Sequence, residues 1–149
     1  MDKFIYQKVT DFKPEDLAEL LAQSTAEGFR HINRLINDYI TGINRFHNED
    51  EALFECRLHN RVIGICGLNR DPYSEEVIGR VRRLYVLKEF RRYGIGRRLT
   101  EEVINTAKSH YRKLVLRTDN PNASEFYKAL GFKEVMDDEK VTHYLELII

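Results

Sequence analysis

Leu84-Tyr85-Val86-Leu87-Lys88-Glu89-Phe90-Arg91-Arg92-Tyr93-Gly94-Ile95-Gly96-Arg97-Arg98 runs from an extended apolar segment, through a turn rich in glycine and arginine, into a helix. Val77 to Leu87 carries the apolar residues Val81, Leu84, Tyr85 and Val86 of a strand. Ile95, Leu99, Val103 and Ala107 then recur at helical spacing, with Arg97, Arg98, Glu101, Glu102 and Lys108 turned away. Such a junction suits an anion: the first turn's free N–H groups point outward, the helix dipole adds positive potential, and Gly94 and Gly96 let main chain approach a phosphate with no Cβ in the way. Arg80, Arg82, Arg83, Lys88, Arg91, Arg92, Arg97 and Arg98 crowd around it against the single acid Glu89. Spacing narrows the ligand. A nucleoside-triphosphate loop would follow Gly96 with Lys and then Ser or Thr, but Arg97-Arg98 stand there. A dinucleotide fingerprint would place a third glycine where Leu99 stands.

Working outward, Lys3 to Val9 reads as a short strand, and Pro14 opens a helix whose face is Leu17, Leu20, Leu21 and Ser24. A second helix starts near Phe29, with Phe29, Ile32, Ile36, Tyr39, Ile40 and Ile43 on a stripe read as core. After Asn48-Glu49-Asp50-Glu51 the period shortens to two through Ala52, Phe54, Cys56 and Leu58, then Val62, Gly64, Cys66 and Leu68, with His59-Asn60 as the hairpin turn between. Downstream of the quoted stretch come a short strand at Leu114-Val115-Leu116 and a helix that begins at the cap pair Asn120-Pro121. Its stripe is Ala123, Phe126, Tyr127 and Leu130, and Gly131 stops it. Phe132–Met136 and Val141–Ile149 close the chain as a hairpin. The order β, α, α, β, β, β, α, β, α, β, β predicts an α+β domain over residues 1–149: a mixed, mostly antiparallel central sheet flanked by helices on both faces.

The chain has 149 residues, 24 Lys plus Arg against 24 Asp plus Glu, and no net charge, which removes a whole-protein case for nucleic acid or an anionic membrane. No apolar run approaches the ~20 residues of a membrane helix, and Met1-Asp2-Lys3-Phe4 lacks an export signature, so a cytoplasmic protein with no membrane partner is expected. Cys56 and Cys66 sit in strand-like runs with no partner at ligand spacing, which argues against a disulfide or a metal site.

Three linked segments, Leu84-Tyr85-Val86, then Arg91 to Arg97, then Asn120 with Ala123 and Phe126-Tyr127-Lys128-Ala129-Leu130-Gly131-Phe132, resemble the GNAT superfamily of acyl-CoA-dependent N-acetyltransferases over about half the chain. The resemblance implies the acyl-CoA N-acyltransferase fold and acetyl-CoA as cosubstrate, with no metal. It further implies that the backbone of Leu84, Tyr85 and Val86 binds the pantetheine arm as an added strand and that Arg91, Arg92, Tyr93, Gly94, Ile95, Gly96 and Arg97 wrap the diphosphate, chiefly through backbone N–H groups. Asn120 would contact the cofactor arm and Tyr127 would stand beside the thioester sulfur as the catalytic acid for the departing thiolate. On spacing alone Tyr127 reads as a core aromatic and Asn120 as an N-cap; the linked context gives each its second role.

The resemblance thins at the base. Neither Leu114-Val115-Leu116 nor Arg82-Arg83-Leu84-Tyr85-Val86 holds a carboxylate, which leaves Asp71, Glu75, Glu76, His143 or a water. Arg80, Arg82 and Arg83 read as a solvated strand face, while the resemblance implies that the first two helices border the acceptor site, which makes Tyr39, Arg34 and Arg45 candidates for influencing substrate choice. A small-molecule or peptide amine is the expected partner, and acidic clusters at 49–51, 75–76 and 137–139 would suit a cationic one if they converged. Leu145 to Ile149 offers an edge strand for a homodimer. Two rival functions stand beside acetyl transfer: a noncatalytic acyl-CoA sensor, and a nucleic-acid binder using Arg80 to Arg98.

Overall fold

A computed structural model describes residues 3–147. Seven strands, β1 (Ile5–Lys8), β2 (Ala52–Leu58), β3 (Arg61–Arg70), β4 (Gly79–Val86), β5 (Lys113–Leu116), β6 (Lys133–Glu134) and β7 (His143–Glu146), form one sheet in the order β1-β2-β3-β4-β5-β7-β6. Four α-helices accompany it: α1 (Ala18–Ala26), α2 (His31–Thr41), α3 (Ile95–Ala107) and α4 (Pro121–Ala129). Every neighbouring pair is antiparallel except β4 with β5. The His59-Asn60 turn has φ of 49° and 68° at its two residues, the left-handed pair that a two-residue hairpin needs.

Alternation along β3 and β4 sends side chains to two faces. On one face Leu99 and Ile95 of α3 close over Gly64. On the other, the Tyr85 hydroxyl meets Gln23 of α1 and Glu27 at its C-terminal cap, and His31 of α2 lies with its ring centroid 5.5 Å from that of Tyr85. The expected mixed sheet with helices on both faces is the one the chain forms. Leu17, Leu20, Ile32, Leu35, Ile63, Ile65, Leu68, Leu99 and Leu114 are buried at its centre, and both cysteines are free and buried. Among the described residues no helix is long and apolar enough to cross a membrane.

Three expectations need correction. The second helix buries Ile32, Leu35 and Ile36, but Phe29 precedes it and Ile40 and Ile43 are exposed, because the helix ends at left-handed Gly42 and the stripe rotates off the core before then. Arg80 is buried rather than solvated: its Nε donates to Asp71 at 2.8 Å and its terminal amine donates to the Lys140 carbonyl at 2.7 Å. The closing hairpin is shorter than expected: β6 is two residues long and pairs β7 only at His143 and Tyr144, so Leu145 and Glu146 have a strand, β5, on one side alone; Ile148 and Ile149 fall outside the described residues.

Candidate active site

β4 and β5 run side by side only briefly. They pair at Gly79 with Leu114 and at Arg80 with Val115, and beyond that point they part. The cause is in β4: between Ile65 and Gly67 on β3 the register slips, and Arg83 on β4 takes φ of 65°. A left-handed residue with no glycine at that place is a β-bulge, which bends its strand and re-aims the residues beyond it. The main chain from Val81 to Val86 therefore keeps β3 on one side and has no strand on the other. β5 instead continues its pairing with β7.

The wedge between the parted strands is a cleft of about 780 Å³. It is walled by β4 from Arg80 to Val86, by the loop and first turn of α3 from Arg91 to Arg97, and by Asn120, Phe126 and Tyr127 of the α4 segment. Of the residues singled out from the sequence, Leu84, Tyr85, Val86, Arg91, Arg92, Gly94, Ile95, Gly96, Arg97, Asn120 and Tyr127 all line it. Tyr93 does not. Its ring packs on Phe4 and Phe90 at centroid distances of 5.9 and 6.3 Å, which leaves the backbone as its contribution.

At one end, Gly94 caps α3 with φ of 79°, a conformation that strains any side chain, and a Cβ built there meets nothing within 4 Å. A Cβ at Gly96 would meet Phe126 and Val86, both cleft residues, at 3.6–3.8 Å, so the glycine keeps the cleft open where the helix begins. Arg91 is already engaged: its guanidinium donates to the Val86 carbonyl at 2.9 Å and pairs with Glu27 at 2.8 Å. Asn120 caps α4 by accepting from the Asn122 N–H at 2.9 Å, a use of the carbonyl oxygen that leaves its amide donors for the cleft.

Tyr127 is 7% exposed and lies edge-on to Phe126 and Phe132. Burial, with the Cys66 thiol adding to it, pushes its hydroxyl well above the ordinary phenol value, so it stays protonated at neutral pH.

The proposed bases stand elsewhere. Asp71 is buried against Arg80, Glu75 and Glu76 are exposed in the loop, and His143 is buried between Ser124 and Thr142 at 2.9 and 2.8 Å; none lines the cleft. The acidic clusters do not converge on it either: every charged residue lining the cleft is an arginine. Of the three residues tied to the acceptor side, Arg34 lines the cleft, whereas Tyr39 bonds Asp11 and Arg45, past the end of α2, bonds the Tyr39 carbonyl. Arg82 and Arg83, read as a solvated face, are cleft residues because of the bulge.

His31, which sequence reasoning passed over, is also there. It hydrogen-bonds the Leu84 backbone, its buried Nε2 has no partner, and burial holds its pKa below the usual histidine value. Its spacing of three from Arg34 puts both on one helix face, the one local signal that could have marked it. Among the described residues no group of His, Cys, Asp and Glu is arranged to hold a metal ion.

The sequence profile of the acetyltransferase (GNAT) domain matches residues 49–134, more than half of the chain. This chain belongs to the GNAT family. A protein from Exiguobacterium sp. 255-15, named in its crystal structure as a candidate acetyltransferase, superposes with a TM-score of 0.87 at 32% identity, over 97% of this chain and 93% of that one. A GNAT-family acetyltransferase of Staphylococcus aureus Mu50 shares the fold at a TM-score of 0.77 and 20% identity, over 98% of this chain and 100% of that one. An uncharacterized N-acetyltransferase of Methanocaldococcus jannaschii is 30% identical over 92 residues, 58% of this chain and 41% of that protein. The chain thus spans less than half the length of the curated relatives it matches.

Proposed function

We propose that this GNAT chain transfers an acetyl group from acetyl-CoA to the amine of a small molecule or peptide, by direct attack in a ternary complex, with residues 1–149 acting as one transferase domain. The observation that carries this reading is the parting of β4 from β5, which leaves a bare strand edge leading straight to the N-terminus of α3. An extended amide-bearing arm can add to Leu84–Val86, and a diphosphate at the arm's end meets the unpaired N–H groups and dipole of the helix, with Arg92 and Arg97 beside it. The fit is to coenzyme A in particular because the pocket needs both parts, a strand-like arm and a phosphate, in that order. Asn120 would steady the arm with its amide.

When bound, acetyl-CoA supplies an acyl carbonyl activated as a thioester. The amine must reach that carbonyl neutral, since an unperturbed alkylamine with pKa about 10.4 is mostly protonated at neutral pH. Tyr127 faces the departing sulfur. A phenol raised by burial is a weaker acid than a thiol of pKa about 8.5, so in place of an acid's role its contribution is a hydrogen bond to the sulfur as negative charge develops, and the departing thiolate takes its proton from solvent.

Incubating the protein with acetyl-CoA and an amine panel while following free thiol tests the reading. Thiol release that depends on an amine supports it. Acetyl-CoA binding with no thiol release for any amine would make the chain a sensor, and no binding would overturn the reading altogether.

A further inference from the structure

We propose that the acceptor carries an anionic group, a carboxylate or a phosphate, beside its reacting amine, and that Arg34, Arg82 and Arg83 grip that group. This rests on the acetyl-transfer reading and deepens it. All three line the cleft, Arg34 from the first turns of α2 and Arg82 and Arg83 from the bulge of β4, and Arg34 and Arg82 are near enough to Arg83 to oppose its charge. Arg34 and Arg82 form no ion pair among the described residues. Arg83, whose side chain is 11% exposed, has Asp38 at 3.5 Å from one terminal nitrogen, yet its Nε is buried with no hydrogen-bond partner. One carboxylate therefore stands against three cations.

Burial, then Arg82 and Arg34, work against the charge on Arg83, so the cluster is electrostatically incomplete as it stands. An anion seated among these side chains would satisfy the orphan Nε–H, and the planar fork of arginine matches the oxygens of carboxylate and phosphate alike. An acceptor bearing only a cationic amine would meet repulsion with nothing to offset it. The diphosphate of coenzyme A cannot be the intended anion. Two strand residues, Leu84 and Tyr85, stand between Arg83 and Val86, roughly 10 Å of chain over three steps, before the loop that leads to Gly94 begins.

A separate observation assigns the proton. We infer that His31 Nε2 receives the proton the amine nitrogen sheds as it bonds to the acyl carbon. His31 is in the cleft wall, its buried Nε2 has no partner, and the ring is held between Phe29 and Tyr85 at 5.5 Å from each. The balance is simple: the N–C bond forms, the C–S bond breaks with its electron pair on sulfur, and one proton moves from nitrogen to His31 while the thiolate gains one from solvent. Arg34 on its own helix and Arg83 on β4 oppose a charged imidazole, and Glu27 at the C-terminal cap of α1 favours it; burial leads, and the ring is neutral at pH 7. The same arginines favour the neutral amine.

The test offers acceptors in pairs that differ only in the anion: an amino acid against its amide, and a phosphorylated amino alcohol against the free alcohol. At least one anionic member should exceed its neutral partner in kcat/KM by about tenfold or more, and which pair shows it separates carboxylate from phosphate. Arg34→Gln and Arg82→Gln, both away from the core, should pull that ratio toward one and leave acetyl-CoA affinity unchanged. Equal use of neutral and anionic members, with acetyl-CoA bound, overturns the inference and leaves acetyl transfer standing. Failure of acetyl-CoA to bind, or of every amine to release thiol, overturns both. For the proton, His31→Gln should lower kcat by about a hundredfold at unchanged acetyl-CoA affinity and abolish the acid-side fall in rate that protonation of the ring causes. Wild-type kcat with that acid limb intact would remove His31 from the reaction.

Discussion

The two ends of the cleft are built in opposite ways. The end assigned to acetyl-CoA comes from one continuous run, Leu84 to Arg97, in which strand, turn and helix start succeed each other, and under the proposed function the work there falls to main-chain N–H and C=O groups. The end assigned to the acceptor is assembled from side chains of α2 and of the β4 bulge, which lie some fifty residues apart in sequence. A donor shared across a family can be bound by backbone that almost any sequence supplies. An acceptor that differs from member to member must be read by side chains brought together only by folding.

Perturbing each end alone sharpens that contrast. The largest effect belongs to Gly96→Glu. A carboxylate in the first turn of α3 would fill space between Phe126 and Val86 and repel a diphosphate, so acetyl-CoA affinity should drop by about a hundredfold or more while the circular dichroism spectrum stays unchanged. Retained affinity would break the assignment of this end. Next is Tyr127→Phe, which removes one hydroxyl at the junction of the two ends: kcat should fall by about a hundredfold, with acetyl-CoA affinity preserved, as calorimetry and steady-state kinetics on the same preparation would show. Because burial raises that phenol, it should contribute no alkaline fall in rate below about pH 10, so wild type and variant should share their alkaline limb. The smallest effect is that of Gly94→Ala. With φ of 79° and open space around it, the added methyl costs only backbone strain, about 1–2 kcal/mol in a urea titration. A stability loss well beyond that would mean the loop packs more tightly than its geometry indicates.

Much of the fold was legible because its signals are local. Alternating apolar residues at Ala52–Leu58 and Val62–Leu68, the His59-Asn60 turn and the helical period after Gly94 each fix an element without reference to the rest. The cleft wall from Leu84 to Arg97 was legible for the same reason, and the places of Asn120 and Tyr127 in it came through a second local pattern. The illegible part depends on the bulge. Nothing at Arg83 announces a left-handed residue, since no glycine or asparagine stands there, so Arg82 and Arg83 read as an ordinary solvated face. His31 is one turn ahead of Arg34 on a helix that looked like core packing, and only the approach of Leu84 and Tyr85 from a distant strand gives it a role. The stripe ending at Ile43 misled in the other direction, because apolar spacing alone does not say where a helix leaves the sheet.

The most direct measurement is a calorimetric titration of acetyl-CoA into the wild-type protein, repeated with Gly96→Glu. Saturable binding at one site per chain is expected for the wild type, and its loss in the variant. Absence of binding heat with the wild type, or equal binding by both proteins, would contradict the claim that the main chain at the start of α3 holds the diphosphate of coenzyme A.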